Sequence, residues 1–474
     1  MRRKRQAATL LALLALTCAA PARAQQGTAA AAGGHGRGAT VSAVLAGLLA
    51  STQIDAATYH ADFAAYVAAK RALSSLTGTR RAELGAALAN VQAIAAAGEL
   101  SASRLGEAFL TLTRNRELWT EQALPAPNQH VSFPGSELVW EYYPGQGVQI
   151  QWLATFGEGN GYYANHRNTQ LRQLLAEAIP LAAQRAGGIA WEYMFQFDGG
   201  APPWTSGLSQ GTALQLLARA YSRLHEPAYL LAAQQALHLF QVPPPRGVAL
   251  ATPAGSLYVE YTFNPGDRIL NGFIQALVGL YEYTSVTKDP LGEQLFEAGD
   301  AEARALVPSY DTGAWSLYDQ FSESNLNYHE LLTEFLAHLC ERTRRGGPLS
   351  PGAALTQDTV YCSTAEAFTT DLRTPPALSL LSKTLRGATR AGVKISLSKV
   401  ALVQLTITQG TRMVRRVAAL LEHGDERLLW VTPSRGGTFT ATLSATDLAG
   451  NVTSAQGTLV VSPRPARPGT RSHA

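Results

Sequence analysis

The sequence predicts a mainly α chain, an (α/α) toroid or barrel with flanking β-strands, followed by a C-terminal all-β Ig-like sandwich. Three observations predict it. Apolar residues recur at helical spacing through long stretches before residue 345. Short and long connections alternate between those stretches, and the long ones are rich in aromatics. Antiparallel helix pairs linked in this way predict a ring whose loops build a cleft at one end. Beyond residue 392 the apolar period changes to two, with turn signals between short runs, as in a β-sandwich.

The elements follow in order. Residues 1–24 read as a secretory signal: Arg2, Arg3, Lys4 and Arg5, an apolar run from Ala7 to Ala20, then Ala22-Arg23-Ala24 as a cleavage pattern. The run is too short to span a membrane. Export is therefore expected, to the cell envelope or beyond, with no span left after cleavage. Residues 25–39 form a low-complexity leader. Residues 40–123 predict an N-terminal helical region of about four helices, punctuated by Gly78 and Gly98. Residues 124–374 make the barrel. Within it Val148, Ile150 and Trp152 alternate, as do Ile189, Trp191, Tyr193, Phe195 and Phe197, and both runs predict strands. A helix bent at Pro180 lies between them. Further helices are expected at 209–224, 228–240, 269–283, 291–306 and 328–341. Residues 375–391 read as a linker, 392–462 as the sandwich and 463–474 as a disordered tail.

Composition narrows the function. The 474 residues are 46% hydrophobic and 16% charged, which suits a large core. The formal charge of +4 is partly carried by the signal. Without its five basic residues, 34 basic residues face 35 acidic ones, so nothing argues for a nucleic-acid partner. Of the three cysteines, Cys18 leaves with the signal, and Cys340 and Cys362 are expected to form a disulfide in an exported chain. The sequence has no zinc spacing, no phosphate-binding glycine loop and no Gly-x-Ser-x-Gly elbow, so no metal or cofactor is expected. The oligomeric state stays open, a homodimer included.

The chemistry concentrates where tyrosines stand beside carboxylates in connections between helices. Three such places are Tyr258-Val-Glu260-Tyr261, Tyr318-Asp319 and Asn327-Tyr328-His329-Glu330. In the last, Asn327 is expected to cap a helix with Glu330 returning the bond. That puts Tyr328 and His329 in a first turn, where the helix dipole favours an anion. A single such tyrosine is most simply a core aromatic with a satisfied hydroxyl. Three in polar connections point to a site.

The block Tyr258 to Tyr281, YVEYTFNPGDRILNGFIQALVGLY, resembles the C-terminal region of the glucuronyl C5-epimerase family. That family shows Tyr-Glu-Glu-Tyr, then Val-Leu-Asn-Gly-Phe and Gly-Leu-Tyr. Tyr310 to Tyr318, YDTGAWSLY, resembles its Phe-Asp-Thr-Gly motif, and Tyr328-His329 its Asp-Tyr-His. Trp204, Gln210 and Arg219-Ala220 lie in upstream elements similar to the family's Trp-x-Ser, Gln-Gly and Arg-Ala. The resemblance covers roughly residues 130–345. It implies an (α/α) barrel and inversion at carbon 5 of glucuronate residues within an acidic polysaccharide. It further implies that Tyr261, Tyr318 and Tyr328 are catalytic, with Glu260 as the neighbouring acid. Arg268 and His329 are the candidates to hold the substrate carboxylate. Trp204, Gln210, Arg219, Asn271 and Asp311 stand at further substrate-binding positions. Thr262, Gln320-Phe321 and Leu332 depart from the family's pattern, which favours an unsulfated uronate polymer or a partial loss of activity.

The residue types suit that reaction. Carbon 5 carries a proton next to a carboxylate and is a weak acid. Removing its proton requires a base on one face, a neutralised carboxylate, and an acid on the other face. Tyr261 and Tyr328 are the expected proton-transfer groups, which requires their two segments to share a cleft. Two other classes compete. A uronate lyase or glycoside hydrolase on a similar toroid would expel the carbon 4 substituent or use two carboxylates from Glu260, Asp311 and Asp319. A non-catalytic glycan-binding protein would bind without exchange at carbon 5.

Overall fold

The computed structural model describes residues 38–349 and 359–463, and the signal, almost all of the leader and the tail lie outside them. The chain is mainly helical with several small sheets and divides into two compact units. The first holds the described residues up to Asp267, Gln275–Glu302 and 348–349; the second holds Arg268–Ile274, Ala303–Gly347 and the described residues from 359 onward.

The first unit opens with four helices: α1 (Val41–Ala50), α2 (Ala56–Ser75), α3 (Gly78–Ala96) and α4 (Ala102–Glu121). Thr40 caps α1 and Asp55 caps α2, each side chain accepting a backbone N–H three residues on. Three strands follow, β1 (His130–Val131), β2 (Trp140–Tyr143) and β3 (Gly147–Ile150), in one antiparallel sheet in that order. Two buried side chains anchor the β2–β3 hairpin. Glu83 of α3 accepts from the backbone of Gly145 and Gly147 and from the Tyr142 hydroxyl. Asn115 of α4 bonds both backbone groups of Val148, at 2.8 and 2.7 Å. Burial without bonds would cost each of these groups several kcal/mol, so the hairpin and the helices are fixed together.

Trp152, expected at the end of a strand, instead opens α5 (Trp152–Ala164), capped by Gln151. Glycines at 157, 159 and 161 obscure this helix in the sequence, since each weakens a helix interior. Tertiary packing accounts for Gly159: a Cβ there would lie 2.5 Å from Leu216. After α6 (Asn168–Ala178) the chain tightens into one 3-10 turn containing Pro180. It then forms the hairpin β4 (Ala183–Arg185) and β5 (Gly188–Ala190). The strand expected over 189–197 ends at Ala190. Beyond it only single bridges form, Tyr193 to Trp204 and Phe197 to Gly200. Glu192 and Met194 are buried along with the aromatics, so the alternation does not separate a wet face from a dry one.

Helices α7 (Gly207–Leu224) and α8 (Pro227–Leu237) precede a short hairpin, β6 (Ala249–Ala251) and β7 (Ser256–Tyr258). Next come α9 (Leu270–Thr287), whose first residues belong to the second unit, and α10 (Pro290–Leu306). The backbones of α7 and α9 touch: a Cβ on Gly211 would meet Ala276 at 2.5 Å, and one on Gly279 would meet the Gly211 carbonyl at 2.0 Å. Only glycine permits that approach.

In the second unit, α11 (Leu326–Thr343) and α12 (Thr359–Asp371) pack together and are joined by the disulfide Cys340–Cys362. The segment 375–391, read as a linker, supplies two strands, β8 (Leu378–Leu380) and β9 (Thr384–Arg386). They join β10 (Arg390–Leu397), β11 (Ala401–Gln409), β12 (Arg412–Leu421), β13 (Gly424–Val431), β14 (Gly437–Asp447) and β15 (Val452–Ser462). One sheet has the order β13-β10-β8 and the other β12-β11-β14-β15-β9. Their inward residues, among them Val393, Ile395, Val403, Leu405, Trp430, Phe439 and Leu443, form one core, as alternation predicts. Among the described residues no helix is long and apolar enough to cross a membrane.

Candidate active site

The first unit contains a small, open recess, with walls that include Tyr143, Tyr193, Phe195, Phe197, Trp204, Glu260 and Tyr261. The chain after β7 is pinned beside it. Gly207 donates to the Val259 carbonyl at 3.0 Å, and Thr262 donates to the Thr205 carbonyl at 3.2 Å. These bonds hold Glu260 and Tyr261 against Trp204. Tyr258, from the same motif, points elsewhere: it is fully buried and donates to the Leu295 carbonyl at 2.5 Å.

Glu260 is 7% exposed and its Oε2 has no hydrogen-bond partner. Burial pushes its carboxyl up to about 7, a bond from Tyr261 opposes this, and Asp267 adds to it. A carboxyl poised near neutrality beside a tyrosine can take or give a proton at physiological pH. The Tyr261 ring is centred 5.7 Å from both Phe197 and Trp204 and stacks on Phe263 at 5.3 Å. Trp204 is buried, stacks on Tyr193 at 4.2 Å and donates its indole N–H to the Phe195 carbonyl. The result is an aromatic wall with a hydrogen-bonded carboxyl–tyrosine pair set into it.

Two expected substrate contacts of this unit are structural instead. Gln210 is fully buried and donates to the Trp191 carbonyl at 2.9 Å and to Thr205 Oγ1 at 3.0 Å. Arg219 makes a two-pronged pair with Glu282, at 2.6 and 2.8 Å, and a third bond to Asn160. A guanidinium engaged this way is not available for a substrate carboxylate.

The second unit carries the other motif residues. The rings of Tyr318 and Tyr328 are centred 4.6 Å apart and both are half-buried. The helix cap differs from expectation. Asn325, not Asn327, caps α11, and its Oδ1 accepts from the Tyr328 N–H at 2.9 Å, while Glu330 is exposed. Tyr328 still falls in the first turn, two residues deeper than expected. Asp311 shapes its loop by accepting from Gly313 at 2.7 Å, and Asp319 accepts from Phe321 and Ser322 in the same way. Arg268 is exposed, and its backbone bonds Gln320 and Tyr310. Asn271 is buried, with an unpartnered Oδ1.

His329 is a correction. Expected to hold a carboxylate, it has no exposed surface, stacks on Trp315 at 3.7 Å and is bonded through both ring nitrogens. Ser316 N–H donates to Nδ1 at 3.2 Å, so Nε2 carries the proton and donates to the Phe368 carbonyl at 3.0 Å. Burial, with a smaller contribution from Lys399, pushes its pKa down to about 4 against the opposing Phe368 carbonyl. Folding thus holds His329 neutral where the unfolded chain would protonate it. Its contribution to stability is present above about pH 6.5 and is lost as pH falls toward 4. Replacing His329 with Gln is expected to remove that pH-dependent difference, on the order of 3 kcal/mol, as read from denaturant midpoints of both proteins between pH 4 and 7.

Sequence reasoning missed Tyr143, Gln151 and Tyr193 as walls of the recess. The available signal was the WEYY run of β2, whose period of two puts Glu141 and Tyr143 on one face. Among the described residues no cluster of His, Cys, Asp or Glu could hold a metal ion.

Residues 186–346 match the family model described as D-glucuronyl C5-epimerase C-terminus. The matched segment is about a third of the chain. The D-glucuronyl C5-epimerase of Caenorhabditis elegans is 32% identical over 131 residues, which are 25% of this chain and 21% of that protein. An uncharacterized protein of Methanocaldococcus jannaschii is 28% identical over 151 residues, 30% of this chain and 49% of its own. The chain thus spans about a fifth and about half of the lengths of these relatives. Among solved structures, a GH76 α-mannanase of Bacteroides thetaiotaomicron is similar at a TM-score of 0.35 and 12% identity, over 51% of this chain and 66% of that one.

Proposed function

We propose that the protein is an exported epimerase that inverts carbon 5 of glucuronate residues in an acidic polysaccharide. The observation that carries this reading is the Glu260–Tyr261 pair in its aromatic recess, inside the segment that matches the epimerase family. A uronate ring set against the aromatic wall would present its carbon 5 proton to Tyr261. As Tyr261 takes that proton, its own hydroxyl proton passes to Glu260, so the pair as a whole gains one proton and the substrate becomes an enediolate. Tyr328, beside Tyr318, is assigned to proton transfer as well, on the family's motif. Arg268 is assigned to the substrate carboxylate, and Asn271 and Asp311 remain at substrate-binding positions. The (α/α) toroid over 124–374, the Ig-like character of the sandwich and signal cleavage near Ala24 belong to the same proposal.

The test is incubation with glucuronan-type polymers in heavy water. Deuterium at carbon 5 with unchanged chain length is the expected result, and Tyr328→Phe is expected to abolish it. Unsaturated products absorbing in the ultraviolet would identify a lyase instead. No incorporation on any uronate polymer would sink the proposal.

A further inference from the structure

We infer that Tyr143 is an additional acid–base group of the recess, positioned by Glu141, an inference that rests on the epimerase reading above. Both residues project from one face of β2, and that strand is locked by the Glu83 and Asn115 bonds to its hairpin. The Tyr143 hydroxyl donates to Glu141 Oε2 at 3.0 Å and accepts from Gln151 Nε2 at 3.2 Å. Gln151 Oε1 in turn accepts from the Tyr193 hydroxyl at 3.4 Å. Tyr143, Gln151, Tyr193 and Tyr261 all line the recess. The Phe197 ring is centred 6.4 Å from Tyr143 and 5.7 Å from Tyr261, so both tyrosines border it. The recess therefore presents two tyrosine–glutamate pairs from different segments of the chain.

The two pairs are built alike. Glu141 is 1% exposed and its Oε1 has no partner, as with Oε2 of Glu260. Burial raises the Glu141 carboxyl to about 7, against opposing bonds from Tyr143 and Gln151. The other ionisable group that faces it is His130 on β1, whose Nε2 is 3.9 Å from Oε2 and whose own pKa burial lowers. A buried acid hydrogen-bonded to a recess-facing hydroxyl suits delivery of a proton. In the protonated state Glu141 passes its proton to the Tyr143 oxygen as the Tyr143 hydroxyl gives its own to carbon 5. The O–H bond of Glu141 breaks, a C–H bond forms, and the enediolate returns to a carboxylate. Run backward, the same pair removes the carbon 5 proton of the product epimer.

The experiment follows both epimers of one uronate polymer in heavy water with the full chain, Tyr143→Phe and Glu141→Gln. Tyr143→Phe is expected to slow inversion at least a hundredfold while deuterium still enters the one epimer whose proton Tyr261 removes. Glu141→Gln is expected to keep the fold and to remove the fall in inversion rate above about pH 7. Inversion by Tyr143→Phe at the wild-type rate would overturn the inference alone. So would equal loss of exchange in both epimers from a variant with the wild-type denaturant midpoint, or an unchanged pH profile for Glu141→Gln. A wild-type protein that incorporates no deuterium would overturn the epimerase reading, and this inference with it.

Discussion

Glu260→Gln is expected to lower deuterium incorporation at carbon 5 by about 10²–10⁴-fold, the usual contribution of a positioned acid–base group. The amide keeps the shape and cannot take the proton that Tyr261 passes on. In the wild-type protein the rate should rise with pH through about 7 as Glu260 ionises, and the Gln variant should lose that limb. The same change should stabilise the fold. Because the folded carboxyl sits near 7 rather than 4.5, native Glu260 becomes progressively costly as pH rises from about 4.5 to 7. Above pH 7 the Gln variant should be more stable than wild type by up to a few kcal/mol. Lower activity with a higher melting temperature at pH 8 separates a functional carboxyl from a structural one. A variant that is active and destabilised would contradict the assignment.

Lys399→Met is expected to destabilise the second unit by about 3–5 kcal/mol, the scale for breaking one partner of a buried ion pair. Lys399 Nζ lies 2.8 Å from Asp447 Oδ2, and the two side chains are 1% and 0% exposed. The same ammonium donates to the Asp371 and Thr374 carbonyls at 2.6 and 2.5 Å, at the end of α12, and sits over the Trp315 ring. Burial pushes the Asp447 carboxyl up, but Lys399 and Asn451 outweigh it and hold Asp447 below the ordinary range. Removing the lysine strands that carboxylate and orphans the two carbonyls. Adding Asp447→Leu to Lys399→Met should recover part of the loss in a denaturant titration, since no uncompensated charge then remains. A single variant within 1 kcal/mol of wild type would show that water reaches the pair.

The helices were legible because their apolar spacing is local information. Helices α7 to α11 begin within a few residues of where periodicity predicts them. The long strands of the two C-terminal sheets show in the alternation of Val403, Leu405 and Ile407 and of Phe439, Ala441 and Leu443. Short strands were not legible: β8 and β9, of three residues each, have too little pattern to separate them from a linker. Helix α5 was hidden by its glycines, and the reason for one of them, Gly159, is a neighbouring helix rather than its own segment. Among candidate site residues, Glu260, Tyr261 and Trp204 line the recess. Arg219, the amide nitrogen of Gln210 and His329 are instead engaged by Glu282, by Trp191 and Thr205, and by Ser316 and Phe368.

The sequence by itself therefore determined residue chemistry and period: mainly helical segments, a C-terminal stretch of alternating strands, and tyrosines beside carboxylates in the connections. Tertiary structure alone decided which polar groups are engaged by the fold and which face a recess. It paired Arg219 with Glu282, which lies 63 residues away, and it turned His329 inward onto Trp315. It brought Tyr143, hydrogen-bonded to Glu141, into the walls of the recess beside Tyr261. The physical reason is that desolvation and hydrogen-bond satisfaction are properties of a group's surroundings in space. Two glutamates that are identical in the chain can become a turn anchor, as Glu83 did, or a carboxyl poised near neutrality, as Glu260 did.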